Sequence, residues 1–168
     1  MKKTILIIFL AIGITAQAQI FDKDYNVKSY AYFSAGSSYA TTPHTNNFTP
    51  NGIVTAGVFW NVFDVSINFE YVDLEPDYFS YTSQVLVRPF TYRKFEPLIG
   101  LSYGRVIRVD EGTYNYFGVV GEIRYNISKF FVSLTGDYSY RGDIRYVWGD
   151  NSDYLKLSSH LKLGIKIN

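Results

Sequence analysis

The chain has 168 residues, 47% hydrophobic, 18% aromatic and 18% charged, with no cysteine and a net charge of +1. That length suits one domain, and the lack of Cys excludes disulfide scaffolds, thiolate zinc sites and cysteine nucleophiles. The near-zero net charge argues against a nucleic-acid binder driven by bulk charge.

The first eighteen residues read as an address. Lys2 and Lys3 form a short basic region, Ile5 to Ala16 is almost continuously apolar, and Ala16-Gln17-Ala18 is an A-x-A cleavage pattern. This is the layout of a secretory signal peptide. The apolar run is shorter than the ~20 residues of a membrane-spanning helix. The expected division is a signal peptide over 1–18 and a single domain over 19–168.

From there on the apolar pattern has period two, which puts alternate side chains on opposite faces of a strand. Segments 27–39 and 52–60 alternate loosely, with small residues on both faces. In 64–71, Val65, Ile67, Phe69 and Tyr71 oppose Asp64, Ser66, Asn68 and Glu70. In 79–88, Phe79, Tyr81, Val85 and Val87 oppose Ser80, Thr82, Gln84 and Arg88. Segment 96–105 is weaker, with Ile99, Leu101 and Tyr103 against Glu96, Gly100, Ser102 and Gly104. In 117–125, Phe117, Val119, Ile123 and Tyr125 oppose Gly118, Glu122 and Arg124. In 130–139, Phe130, Val132, Leu134 and Tyr138 oppose Ser133, Thr135, Asp137 and Ser139. The last segment, 155–167, sets Leu155, Leu157, Leu161, Leu163, Ile165 and Ile167 against Lys156, Ser158, His160, Lys162 and Lys166.

Eight strands are thus expected. Short turns fall near Asn61, at Thr91 to Lys94 and at Asn126 to Lys129. Long polar loops fall at Thr41 to Asn51, Asp73 to Asp77, Arg108 to Thr113 and Arg141 to Ser152. Two solutions suit such strands. A soluble lipocalin-like barrel turns its apolar face inward around a ligand, and an outer-membrane barrel turns it outward to lipid.

Three features favour the membrane. Short turns alternate with long loops, and the apolar faces carry almost no charge at mid-strand. Aromatic residues also gather where interfacial girdles belong. Phe59, Trp60, Phe63, Phe90, Tyr92, Phe95, Tyr125 and Phe130 lie near the short turns. Tyr78, Phe79, Tyr81, Tyr114, Tyr116, Tyr138, Tyr140, Trp148 and Tyr154 lie near the long loops. The expected fold is therefore all-β, an eight-stranded antiparallel up-and-down transmembrane β-barrel. Its inward face would hold a charge network of Asp64, Glu70, Arg88, Glu96, Glu122, Arg124, Asp137, Lys156, His160 and Lys162. Eight strands enclose a space just wide enough for side chains to fill.

With its signal peptide, eight amphipathic strands and four long loops, the chain resembles the small outer-membrane barrels of the OmpA/OmpX type. The Ala16-Gln17-Ala18-Gln19 run is similar to signal-peptide ends of Bacteroidota envelope proteins. The resemblance implies a Gram-negative outer membrane and contact with lipid and lipopolysaccharide. It also implies handling by the barrel-assembly machinery, although the chain ends in Asn168 rather than the aromatic residue common in such barrels.

The expected function is non-enzymatic, serving envelope integrity and surface adhesion through the loops, with no cofactor, no metal and no nucleic-acid partner. In the fourth loop, Arg141, Arg145, Tyr146 and Trp148 are the contact candidates, since exposed Arg, Tyr and Trp are enriched at interfaces. The tripeptide Arg141-Gly142-Asp143 matches an integrin-binding pattern short enough to arise by chance. The alternatives are a lipid A-modifying enzyme and a soluble ligand-binding barrel. The resemblance to deacylating barrels would put Ser158 or Ser159, His160 and Asp137 in a hydrolase-like arrangement, which needs hydroxyl and imidazole within hydrogen-bond reach. Asp150, Asn151 and Asp153 form an acidic loop cluster lacking the full calcium-loop pattern, and His44 is expected to be solvated.

Overall fold

A computed structural model describes residues 29–42, 45–72, 78–109, 112–144 and 155–167, with side chains outside 38–50. The signal segment, His44, Arg145, Tyr146, Trp148, Tyr154 and the acidic cluster at Asp150, Asn151 and Asp153 lie outside the described residues.

Eight strands follow one another: β1 (Ser29–Thr42), β2 (Thr45–Trp60), β3 (Phe63–Val72), β4 (Tyr78–Val87), β5 (Phe95–Arg108), β6 (Gly112–Ile127), β7 (Phe130–Arg141) and β8 (Leu155–Ile167). Each pairs antiparallel with its neighbour, and β1 pairs with β8, closing the barrel in simple sequence order. Closure leaves no unpaired edge, which a sheet immersed in hydrocarbon cannot tolerate.

The short turns share one geometry. Trp60 pairs with Phe63, Tyr92 with Phe95 and Ile127 with Phe130, leaving two residues between the partners each time. The first of each pair, Asn61, Arg93 and Ser128, has φ of 59°, 56° and 58°. A positive φ at this position suits the twist of a tight hairpin, and Asn accepts it most readily. At the other end two connections are shorter than the composition suggests. β1 runs to Thr42 and β2 starts at Thr45, and β5 runs to Arg108 with β6 starting at Gly112. The ladders continue through polar residues because each strand still has a partner there.

The two faces have inverted polarity. Outward side chains include Val65, Ile67, Phe69, Val85, Leu101, Val119, Leu134 and Leu161, all exposed. Arg105, on the loop side of Tyr103, is the one charge among the described outward strand side chains. Inward positions hold Asp64, Glu70, Gln84, Glu122, Arg124, Asp137 and Lys162, all buried. The soluble alternative requires the reverse. Exposed aromatics do form two bands: Trp60, Phe63, Tyr92, Phe95 and Phe130 near the turns, and Tyr71, Phe79, Tyr103, Phe117 and Tyr138 towards the loops.

Three of the aromatics expected in those bands are instead buried inside. Phe59, Tyr78 and Tyr116 are buried, because strand parity places each with the polar set. Tyr78 is in step with Ser80 and Thr82, Tyr116 with Glu122 and Arg124, and Phe59 with Thr55. Tyr30, Tyr32, Phe59, Leu86, Leu98, Val120 and Phe131 form an apolar cluster inside the turn end.

Candidate functional site

The polar interior is the part of the molecule with chemistry in it. Among the described residues it holds six carboxylates, Asp64, Glu70, Glu96, Glu122, Asp137 and Asp143, and seven bases, Arg88, Arg108, Arg124, Arg141, Lys156, Lys162 and Lys166, besides His160. They fall into three layers.

At the turn end, Arg124 sits between two rings, its guanidinium carbon 4.7 Å from the Tyr32 centroid and 4.6 Å from that of Phe131. It donates to Glu122 and to the Tyr30 hydroxyl and lies 3.1 Å from Asp64. Lys162 and Thr135 donate to the other Glu122 oxygen at 3.2 and 3.1 Å, while Tyr32 donates to Asp64 at 2.7 Å. Arg88 bridges Glu96 at 3.1 Å, donates to the Asn61 carbonyl at 2.9 Å and stacks 4.7 Å over Phe59. Each of these buried charges has an opposite partner, as a buried ion requires.

In the middle layer, Glu70 accepts from Asn51 at 2.8 Å and Ser80 at 3.2 Å, and His160 Nε2 lies 3.4 Å from it. Asp137 accepts from Ser102 at 3.1 Å. A small cavity of about 20 Å³ lies among these groups.

At the loop end, Asp143 is clamped by two arginines. Arg141 donates from Nε and Nη2 to its two oxygens at 2.8 Å each, and Arg108 Nε donates at 2.8 Å. Tyr78 stacks against Arg141 at 4.5 Å and Arg108 at 5.1 Å, and its hydroxyl accepts from Lys156 at 3.3 Å. Burial alone would raise the Asp143 carboxyl, but the hydrogen bond and charge of Arg141, with the Arg108 charge, outweigh it and hold the group below the usual carboxylate range. Asp143 belongs to a single helical turn at 142–144 that follows β7.

This layer changes the reading of the fourth loop. Arg141 is only 2% exposed and Asp143 is fully buried, so Arg141 is an interior residue and not a loop contact. For the same reason Arg141-Gly142-Asp143 is not displayed to a receptor. Arg108 and Asp143 join the interior network although their sequence neighbourhoods look like loops. Parity would have found Arg108, in step with Ser102 on β5, and Arg141, in step with Asp137 on β7.

No protein-family model and no curated protein matches the chain. Solved structures that match its fold include two surface proteins of Gram-negative bacteria. Neisserial surface protein A has a TM-score of 0.54 and 15% identity, covering 83% of this chain and 96% of its own. The Yersinia pestis outer membrane protein Ail, in a phospholipid bilayer nanodisc, has a TM-score of 0.52 and 13% identity, covering 83% of this chain and 100% of its own. The fold is that of the small eight-stranded outer-membrane barrels. At these identities the likeness concerns the backbone alone.

Within this outer-membrane barrel fold the hydrolase arrangement does not assemble. Ser158 and His160 both point inward, while Ser159 points outward. Among the described residues no hydrogen bond joins His160 to either serine, and its ring nitrogen faces Glu70 instead. Asp137 lies beside Ser158 in the β7–β8 register but takes its hydrogen bond from Ser102.

Proposed function

We propose that this protein is a non-conducting, non-catalytic barrel of a Gram-negative outer membrane, contributing to envelope integrity and presenting its long loops at the cell surface for adhesion. The supporting observation is the inverted polarity joined to a filled interior. An apolar belt bounded by aromatic bands suits a bilayer, and a lumen packed with paired charges suits a plug rather than a pore. The turn end faces the periplasm and the loop end faces outward, where lipopolysaccharide is its first contact. Surface contacts then belong to the loop residues Arg145, Tyr146 and Trp148, and not to Arg141.

The test combines fractionation, a heat-modifiability gel and a planar bilayer. The expected result is an outer-membrane protein whose migration shifts on boiling and which adds no steady conductance. Recovery in the aqueous fraction without a shift would overturn the membrane assignment. A stable conductance would overturn the plug.

A further inference from the structure

Charge is divided unequally between the two ends of the barrel. The residues joining strands at the loop end, 73–77, 110–111 and 145–154, carry seven Asp and Glu side chains and one Arg. The turns expose Arg93, Lys94 and Lys129 and no acid. All six carboxylates of the described residues are buried inside the barrel, so none is exposed at this rim to neutralise the three cations. Residues 19–28, which precede β1, add two lysines and two aspartates and hence no net charge.

The three cations lie on neighbouring turns. Lys94 is held beside Asn126, whose backbone N–H and side-chain amide both donate to the Lys94 carbonyl, at 2.9 and 3.3 Å. That ties the β4–β5 turn to the β6–β7 hairpin, whose turn carries Lys129. The first turn, at Asn61 and Val62, has no charge, so the patch covers one side of the rim. Each cation is also next in sequence to an exposed aromatic. Arg93 follows Tyr92, Lys94 precedes Phe95 and Lys129 precedes Phe130. The Arg93 guanidinium carbon lies 5.4 Å from the Tyr92 centroid, and Phe90 is 58% exposed on the same turn.

We infer, on the membrane reading above, that this patch is a contact surface for anionic phospholipid headgroups in the leaflet at the turn end. Interfacial aromatics sit at headgroup level, and a cation one residue from such a ring is within reach of the phosphates there. A negatively charged membrane surface attracts clustered Lys and Arg over about one screening length. The acidic loop end offers no such match. A cell-wall polymer would meet the turns from the aqueous side and leave Phe90 and Tyr92 without a partner, whereas a bilayer takes up the rings and the cations together.

The test places the refolded chain in phosphatidylcholine vesicles doped with spin-labelled phosphatidylglycerol or, separately, spin-labelled phosphatidylcholine. Electron spin resonance reads the fraction of each lipid that the protein immobilises. The expected result is an excess of immobilised phosphatidylglycerol at low salt. That excess should be lost in about 1 M NaCl, where the screening length is about 3 Å. It should also be lost when Arg93→Gln, Lys94→Gln and Lys129→Gln are combined, and kept in Arg105→Gln, which removes the outward charge near the loops. Equal immobilisation of the two lipids, or an excess that survives the triple variant, would overturn the inference. If the triple variant does not fold, the salt series on the native chain decides. Sedimentation of the native chain with isolated peptidoglycan, without any lipid preference, would assign the patch to the cell wall and overturn it too. Immobilisation of neither lipid would instead be a failure of the membrane reading itself.

Discussion

Arg124 donates from both Nε and Nη2 to a single oxygen of Glu122, two positions earlier on β6, at 3.0 and 2.9 Å. Neighbours of like parity on a strand point the same way, so the pair is preset by the strand itself. The other Glu122 oxygen takes Lys162 from β8, two strands along the wall. Glu122→Ala therefore strands Lys162 in a buried site and leaves Arg124 with Asp64 alone, at a cost of about 3–5 kcal/mol. The unfolding midpoint in detergent should fall accordingly while loop-mediated binding is unchanged. An unaltered midpoint would show that the network contributes nothing.

Acid should loosen the segment after β7 before it opens the barrel. The Asp143 carboxyl is held below its ordinary range by Arg141 and Arg108, against the effect of burial. A folded-state value below the unfolded one stabilises fully above the unfolded value and is lost as pH falls through the folded value. Hydrogen exchange at the Asp143 and Ile144 amides, corrected for intrinsic rates and followed downward from about pH 5, should accelerate only below the usual Asp range near ~3.9. Asp143→Asn should show fast exchange at every pH.

Gly164 is required by packing. A Cβ there would collide with the buried Phe131 ring, whose residue pairs with Gly164 across β7 and β8. Gly164→Ala is expected to lower stability by about 1–3 kcal/mol through overpacking. Phe131→Leu in the same chain should recover part of that loss, since it frees the space. Failure of the double variant to improve on Gly164→Ala would place the strain elsewhere.

The lipid-facing assignment predicts an asymmetry at one height of the barrel. Val119 is exposed midway along β6 and its neighbour Val120 is fully buried. Val119→Arg should cost about 2–4 kcal/mol in a bilayer and reduce folding into lipid vesicles, whereas Val119→Leu should fold normally. Equal folding yields for the two variants would contradict hydrocarbon at this position.

The alternation in β3, β6, β7 and β8 is legible because one face is almost wholly apolar and the other polar. That parity alone turns Asp64, Glu70, Glu122, Arg124, Asp137, His160 and Lys162 inward. The ends of the strands were not legible. An aromatic girdle and an aromatic plug have the same composition, so position near a turn or loop suggests the girdle for Phe59, Tyr78 and Tyr116 where parity turns them inward. Arg108, Arg141 and Asp143 sit in polar stretches that look like loop. Their burial depends on Arg108 at the end of β5 reaching Asp143 after β7, a contact between residues 35 positions apart in the chain. The tip of the β1–β2 hairpin, with Pro50 paired to Tyr39, likewise reads as loop by composition.

The seam between β1 and β8 joins Ala31 to Ile167, nearly the whole described chain apart. Each of the other strand pairs can form as a local hairpin, but this one cannot begin until the eighth strand is available. Until then Arg124, Lys162 and Glu122 cannot be enclosed together, and a half-built sheet would present charges on one side and bare hydrocarbon on the other. The slow event in folding is therefore expected to be this last zip, with assembly behaving as all-or-none rather than strand by strand.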